Sequence, residues 1–173
     1  MPTPHDAASI DALKAAVCDA VDALAPRLIE ASRAIHAHPE LNFEEHFAHG
    51  VLTDLIESSG LVPQRGAWGL PTAFDARTGD TGPMVAVLCE YDALPGVGHA
   101  CGHNIIATAG VGAGLAAATV AATAGGRLRI LGTPAEEGGG GKILMARAGA
   151  FEGIDAAMMV HPADADLVLM DCI

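Results

Sequence analysis

Up to Gly60 the apolar positions recur at steps of three and four, and beyond it they cluster into short continuous runs. Ile10, Leu13, Val17, Val21, Leu24 and Leu28 fall on one face of a first helix, with Ser9 placed to cap it. Pro26 interrupts that pattern and predicts a kink or a fresh helical start; the helix is expected to end before Pro39. A second helix is predicted from about Asn42, with Glu45 three residues on in the manner of a capping box. Its buried face is Phe43, Phe47, Val51, Leu52, Leu55 and Ile56, and Gly60 stops it.

The later runs read as strands separated by helices. Thr72–Ala76 and Met84–Cys89 are the first two, the second apolar throughout, as a sheet covered on both faces requires. An uncharged helix over 104–126 follows, then a strand Arg129–Gly132, a helix Lys142–Ala148, a buried strand Ala156–Val160 and a short strand Leu167–Met170. That alternation predicts a layered α/β domain with a mixed, largely parallel sheet. The uncharged stretch is long enough to span a bilayer and holds the small pair Gly110 and Gly114. Its Ala, Gly and Thr content favours a helix buried in a globular core instead, and no membrane association is expected.

Composition narrows the function classes. Among 173 residues, 21 acidic side chains against 9 Lys plus Arg give a formal charge of −12, which argues against nucleic acid and anionic membranes. Cys18, Cys89, Cys101 and Cys172 are too scattered for a disulfide framework, and the first residues show no secretory signal. Reduced thiols and a cytoplasmic location are therefore expected.

Three strand ends carry chemistry. After Cys89 comes Glu90-Tyr91-Asp92, then His99-Ala100-Cys101-Gly102-His103, in which Cys101 and His103 offer a thiolate and an imidazole across one glycine. Alone, that triplet also fits a buried cysteine beside loop histidines. After Gly132 come the adjacent carboxylates Glu136 and Glu137, then four glycines and Lys142. A metal site gives such a pair a purpose, one carboxylate for the cation and one for its water. A phosphate cradle is the alternative, but the run lacks the Gly-x-x-x-x-Gly-Lys-Ser/Thr spacing and two carboxylates repel phosphate. His161 follows the last apolar strand and, if the strands are parallel, emerges on the same rim.

The segments Glu90–Pro95, Gly98–Asn104, Gly132–Glu137 and Met158–Pro162 resemble the metal-dependent aminoacylase and carboxypeptidase family. The branch they are most similar to contains hippurate, auxin-conjugate, aminobenzoyl-glutamate and β-alanyl dipeptide hydrolases, and His36–Leu41 with Glu45 resembles its opening motif. The resemblance implies a three-layer α/β/α zinc-exopeptidase-like domain. It implies metal ligands at Cys101, His103, Glu137 and His161, Glu136 as general base, and Asp92 as an orienting residue near the site. Glu90 stands where many relatives have a metal-binding histidine, His99 receives no role, and His36, His38 and Glu40 are read as helix-end structure. Two divalent cations are implied, zinc by its affinity for mixed Cys, His and Glu ligands, with manganese or cobalt also accepted by such a set. The implied activity is hydrolysis of the amide bond in N-acyl amino acids or dipeptide-like substrates by metal-activated water.

Residues 1–173 are expected to form the N-terminal portion of the catalytic domain. Full-length relatives add a lid or dimerisation domain, through which homodimers form, and then the rest of the catalytic sheet with a further histidine ligand. The competing expectations are an inactive fragment or metal-binding subunit that needs a C-terminal partner, and a membrane-associated protein without enzyme activity.

Overall fold

A computed structural model of the chain describes residues 7–163. Helix α1 (Ala7–Ala37) continues through Pro26 without a fresh start. The proline and Asp22, whose carbonyl loses its N–H partner, are both exposed, so water can satisfy that carbonyl. Helix α2 (His46–Ser58) begins later than the apolar pattern suggests, because Phe43 takes a left-handed φ of 64° that no helix accommodates. Glu45 makes no capping bond; the carboxylate of Glu40 instead accepts the N–H groups of Phe47 (2.9 Å) and Ala48 (3.0 Å). His38 Nδ1 lies 2.9 Å from the Ala34 carbonyl at the end of α1.

Among the described residues, five strands form one sheet: β1 (Gln64–Arg65), β2 (Phe74–Thr78), β3 (Met84–Cys89), β4 (Arg127–Gly132) and β5 (Ala156–Met158), in the order β1-β2-β4-β3-β5. β3 pairs in parallel with both β4 and β5, while β2 runs antiparallel to β4 and to β1. The sheet is thus mixed, with its three parallel strands ending on one rim. The two-residue strand β1 is too short to leave a periodic signal in the sequence.

Alternate side chains build a core on each face. Phe74, Ala76, Cys89 and Ile130 meet Ile35 of α1, Leu52 and Ile56 of α2, and Ala107, Val111 and Leu115 of α3 (His103–Ala118). On the other face Ala86, Leu88 and Leu131 meet Met145 of α5 (Gly141–Arg147) and Ala150. Helices, sheet and helix make the expected three layers.

The uncharged helix is shorter than predicted: α3 stops at Ala118, and a separate turn, α4 (Ala121–Ala124), precedes β4. No helix among the described residues is long and apolar enough to cross a membrane. Its glycines serve close packing, since a Cβ on Gly110 would lie 2.7 Å from Cys89 Sγ and 2.9 Å from the Leu88 carbonyl oxygen. Gly110→Ala is therefore expected to cost about 1–3 kcal/mol through overpacking, outweighing the roughly 1 kcal/mol that alanine gains in helix propensity. Urea unfolding of the two proteins measures the difference.

The last strand departs from expectation. β5 covers only Ala156–Met158 and is exposed throughout rather than buried, with Met158 at 57% and Val160 at 62% exposure. Among the described residues it lies at the sheet edge beside β3, and no described helix covers it. The expected strand Leu167–Met170 lies outside the described residues, as does Cys172. Cys18, Cys89 and Cys101 are free thiols.

Candidate metal centre

Parallel pairing brings the ends of β3, β4 and β5 side by side, so the loops after Cys89, Gly132 and Met158 converge. His103 opens α3 directly after Gly102, a left-handed glycine (φ 85°) on which a Cβ would sit 2.9 Å from Pro162. That turn buries the imidazole fully. Its Nδ1 lies 3.2 Å from Asp92 Oδ1, and the second oxygen of Asp92 accepts the N–H of Glu137 (2.9 Å). Asp92 therefore links the Cys101–His103 loop to the Glu136–Glu137 loop. Burial pushes its carboxyl up, but the bonds from His103 and from the backbone of Glu137 and Glu136 outweigh this and hold it below the ordinary range.

With Nδ1 turned to Asp92, Nε2 of His103 faces three carboxylates. It lies 3.5 Å from Glu90 Oε2, 3.5 Å from Glu137 Oε1 and 3.7 Å from Glu136 Oε2. Cys101 Sγ and His161 Nε2 lie 3.5 Å apart beside it, and the His161 and His103 rings meet edge-on at 6.3 Å. All six residues singled out in the sequence, Asp92, Cys101, His103, Glu136, Glu137 and His161, thus occupy one cluster.

Its chemistry fits a cation. His103 Nε2, Glu90 Oε2 and Glu137 Oε1 are buried atoms without a hydrogen-bond partner among the described residues, which is costly unless a cation pairs them. Bonds of about 2.0–2.2 Å to one tetrahedral ion would set neighbouring N and O donors about 3.3–3.6 Å apart, matching these separations. Two donor groups close enough for one ion overlap at His103: Cys101 with His103 and His161, and Glu90 with His103 and Glu136. The free cluster is electrostatically frustrated. Burial first, then the Glu137 carboxylate and the charges of Glu136 and Glu90, push the Cys101 thiol up to about 11. Burial pulls His103 down, yet Asp92, Glu90 and Glu137 together carry it above its ordinary value. A bound cation would relieve both.

Two acids beside this cluster escaped the sequence reading of their roles. Glu90, straight after the apolar run of β3, is buried and takes an ion pair from Lys142. Only its position, a charge abutting a fully covered strand, hints at this. Glu45 is fully buried and accepts three donors: the N–H of Phe43 (3.0 Å), the N–H of Ala135 (2.8 Å) and the Thr72 hydroxyl (2.8 Å). Ala135 has a left-handed φ of 56° and directly precedes Glu136, so Glu45 clamps the turn that aims both glutamates. Glu45→Ala leaves those donors unpaired, and a loss of about 2–4 kcal/mol in unfolding free energy is expected in denaturant titration.

The four glycines have a packing role. A Cβ on Gly141 would lie 1.8 Å from the Pro134 carbonyl oxygen, and one on Gly139 would lie 2.5 Å from the Phe43 ring. They fold the loop tightly under the glutamates rather than forming an open cradle. His99 is buried with both ring nitrogens unpartnered among the described residues, and burial, then the nearby His103 and His36, lower its pKa.

The family model for peptidase family M20/M25/M40 matches residues 82–169, about half of the chain. The chain belongs to that family. Family relatives include the mouse Xaa-Arg dipeptidase, 47% identical over 94% of this chain and 41% of its own length. Another is a p-aminobenzoyl-glutamate hydrolase component from Escherichia coli, 37% identical over 83% of this chain and 34% of its own. A dinuclear metal-binding peptidase of the M20 family from Bacillus subtilis superposes with a TM-score of 0.71 at 28% identity, covering 79% of this chain and 42% of that one. This M20 chain thus spans about a third to two-fifths of the length of these relatives.

Proposed function

We propose that this chain carries the metal centre and general base of an amidohydrolase that cleaves dipeptides or N-acyl amino acids. The observation that carries the reading is the fully buried His103, whose unpartnered Nε2 faces three carboxylates at 3.5–3.7 Å. Membership of the M20 family and likeness to a dipeptidase and an aminobenzoyl-glutamate hydrolase support the substrate class.

Cys101, His103, Glu137 and His161 are the proposed ligands of two divalent cations. When bound, such cations lower the pKa of water and polarise a carbonyl. Zinc suits the position with the thiolate, and manganese or cobalt would suit an oxygen-rich neighbour. Asp92 accepts Nδ1–H of His103 and so fixes the tautomer that presents Nε2. Glu136, whose side chain is 40% exposed at the open side of the cluster, takes a proton from the attacking water and returns it to the leaving amine.

The test is metal content and hydrolysis of an N-acyl amino acid, aminobenzoyl-glutamate and a β-alanyl dipeptide by the purified chain. Bound metal with turnover supports the full reading. A second reading, a metal-binding unit that needs further polypeptide for turnover, is favoured by the uncovered edge strand β5. It predicts bound metal without turnover until that polypeptide is added. Absence of bound metal after reconstitution would refute both.

A further inference from the structure

Glu90 belongs neither to the proposed ligands nor to the proton-transfer step, yet it occupies the floor of the centre at 1% exposure. Lys142, from the start of α5, donates to its Oε1. That ion pair balances the charge of the carboxylate but leaves Oε2 buried and without a hydrogen-bond partner among the described residues. A buried carboxylate oxygen in that condition needs a further cation or donor. Oε2 is turned toward the centre, 3.5 Å from His103 Nε2, and shares with His103 and Glu136 a space that one ion could bridge. This separation is the edge of a tetrahedral coordination shell rather than a hydrogen bond.

We propose that Glu90 is itself a metal ligand, through Oε2 alone, on the oxygen-rich side of the centre. Lys142 holds the other oxygen, which makes the carboxylate monodentate and offsets its charge. The proposal rests on the metal-centre reading above and adds a ligand to it. It also makes the two sides chemically unequal. Cys101 and His161 offer sulfur and nitrogen, whereas Glu90 with His103 offers a harder set that accepts manganese.

The experiment is Mn2+ binding to the metal-free chain, followed by electron paramagnetic resonance. A parallel Co2+ titration reads the Cys101 side by its thiolate-to-cobalt absorption. In Glu90→Gln, Mn2+ affinity is expected to fall about tenfold or more, with the cobalt–thiolate band intact, which also reports a folded centre. The double variant Glu90→Gln with Lys142→Met removes both charges together and leaves no unpaired ammonium. If Glu90 is a ligand, the loss of Mn2+ affinity persists in the double variant. Recovery of the original affinity there would overturn the proposal, because Glu90 would then act only as a counter-charge. Unchanged Mn2+ affinity in the single variant overturns it directly. So does loss of the cobalt band in both variants, since the residue would then support the whole cluster. If the unaltered chain binds neither ion, the metal-centre reading itself fails, an outcome distinct from failure at Glu90 alone.

Discussion

Glu136→Gln is expected to lower turnover about 10²- to 10⁴-fold while leaving the metal content of the protein unchanged. Glutamine keeps the shape of the side chain and loses only the ability to take and return a proton. Glu136 is the most exposed of the three acids around His103 Nε2 and the farthest from it, at 3.7 Å. That position suits a group that works on water at the open side. Glu137 is oppositely placed: its Oε1 is buried and unpartnered, and its backbone N–H is fastened to Asp92. Glu137→Gln and His161→Ala are therefore expected to lose metal first and turnover as a consequence. Elemental analysis alongside kcat separates the cases. Metal loss in Glu136→Gln would make Glu136 a ligand and leave the base unassigned. Turnover near the unaltered level with metal in place would remove it from the mechanism.

That distinction was partly legible in the sequence, because strand ends are local features. A run such as Met84–Cys89 marks a covered strand, and parallel pairing then carries Cys101, His103, Glu136, Glu137 and His161 to one rim. Helix-forming faces were legible for the same reason. Long-range partners were not. Glu45 looks like an ordinary capping residue, yet its carboxylate bonds Ala135 across 90 residues of chain. Its partner depends on how α2 docks on the sheet, and no periodicity encodes docking. The start of α2 was misplaced by the backbone of Phe43, whose left-handed φ a sequence pattern does not announce. Burial of the edge strand also depends on neighbours: the residues of β5 read as core, but among the described residues one sheet partner and no helix leave them exposed.

Asp75→Ala is expected to destabilise the fold by about 3–5 kcal/mol, the largest stability effect expected of a single change within the sheet. Asp75 and Arg129 sit on the neighbouring strands β2 and β4, with their side chains buried on the α5 face. Arg129 forks onto both oxygens, Nη2 to Oδ2 at 2.6 Å and Nε to Oδ1 at 3.2 Å, and its Nη1 donates to the Ala150 carbonyl at 2.7 Å. Arg77 adds a second guanidinium to Oδ2 at 2.7 Å, and both cations lie over the Trp68 ring, at 5.3 Å for Arg129 and 5.8 Å for Arg77. Removing the carboxylate strands the Arg129 charge in a nearly dry site, whereas the exposed Arg77 can turn to water. The cost therefore comes from the orphaned cation more than from the lost attraction. Asp75→Leu combined with Arg129→Met should accordingly recover most of the loss, because apolar side chains of similar bulk remove the charge and its desolvation together. Urea unfolding of the two single variants and the pair decides it: a double variant as unstable as the sum of the singles would show that the two side chains are not coupled and that an orphaned Arg129 charge is not the source of the cost.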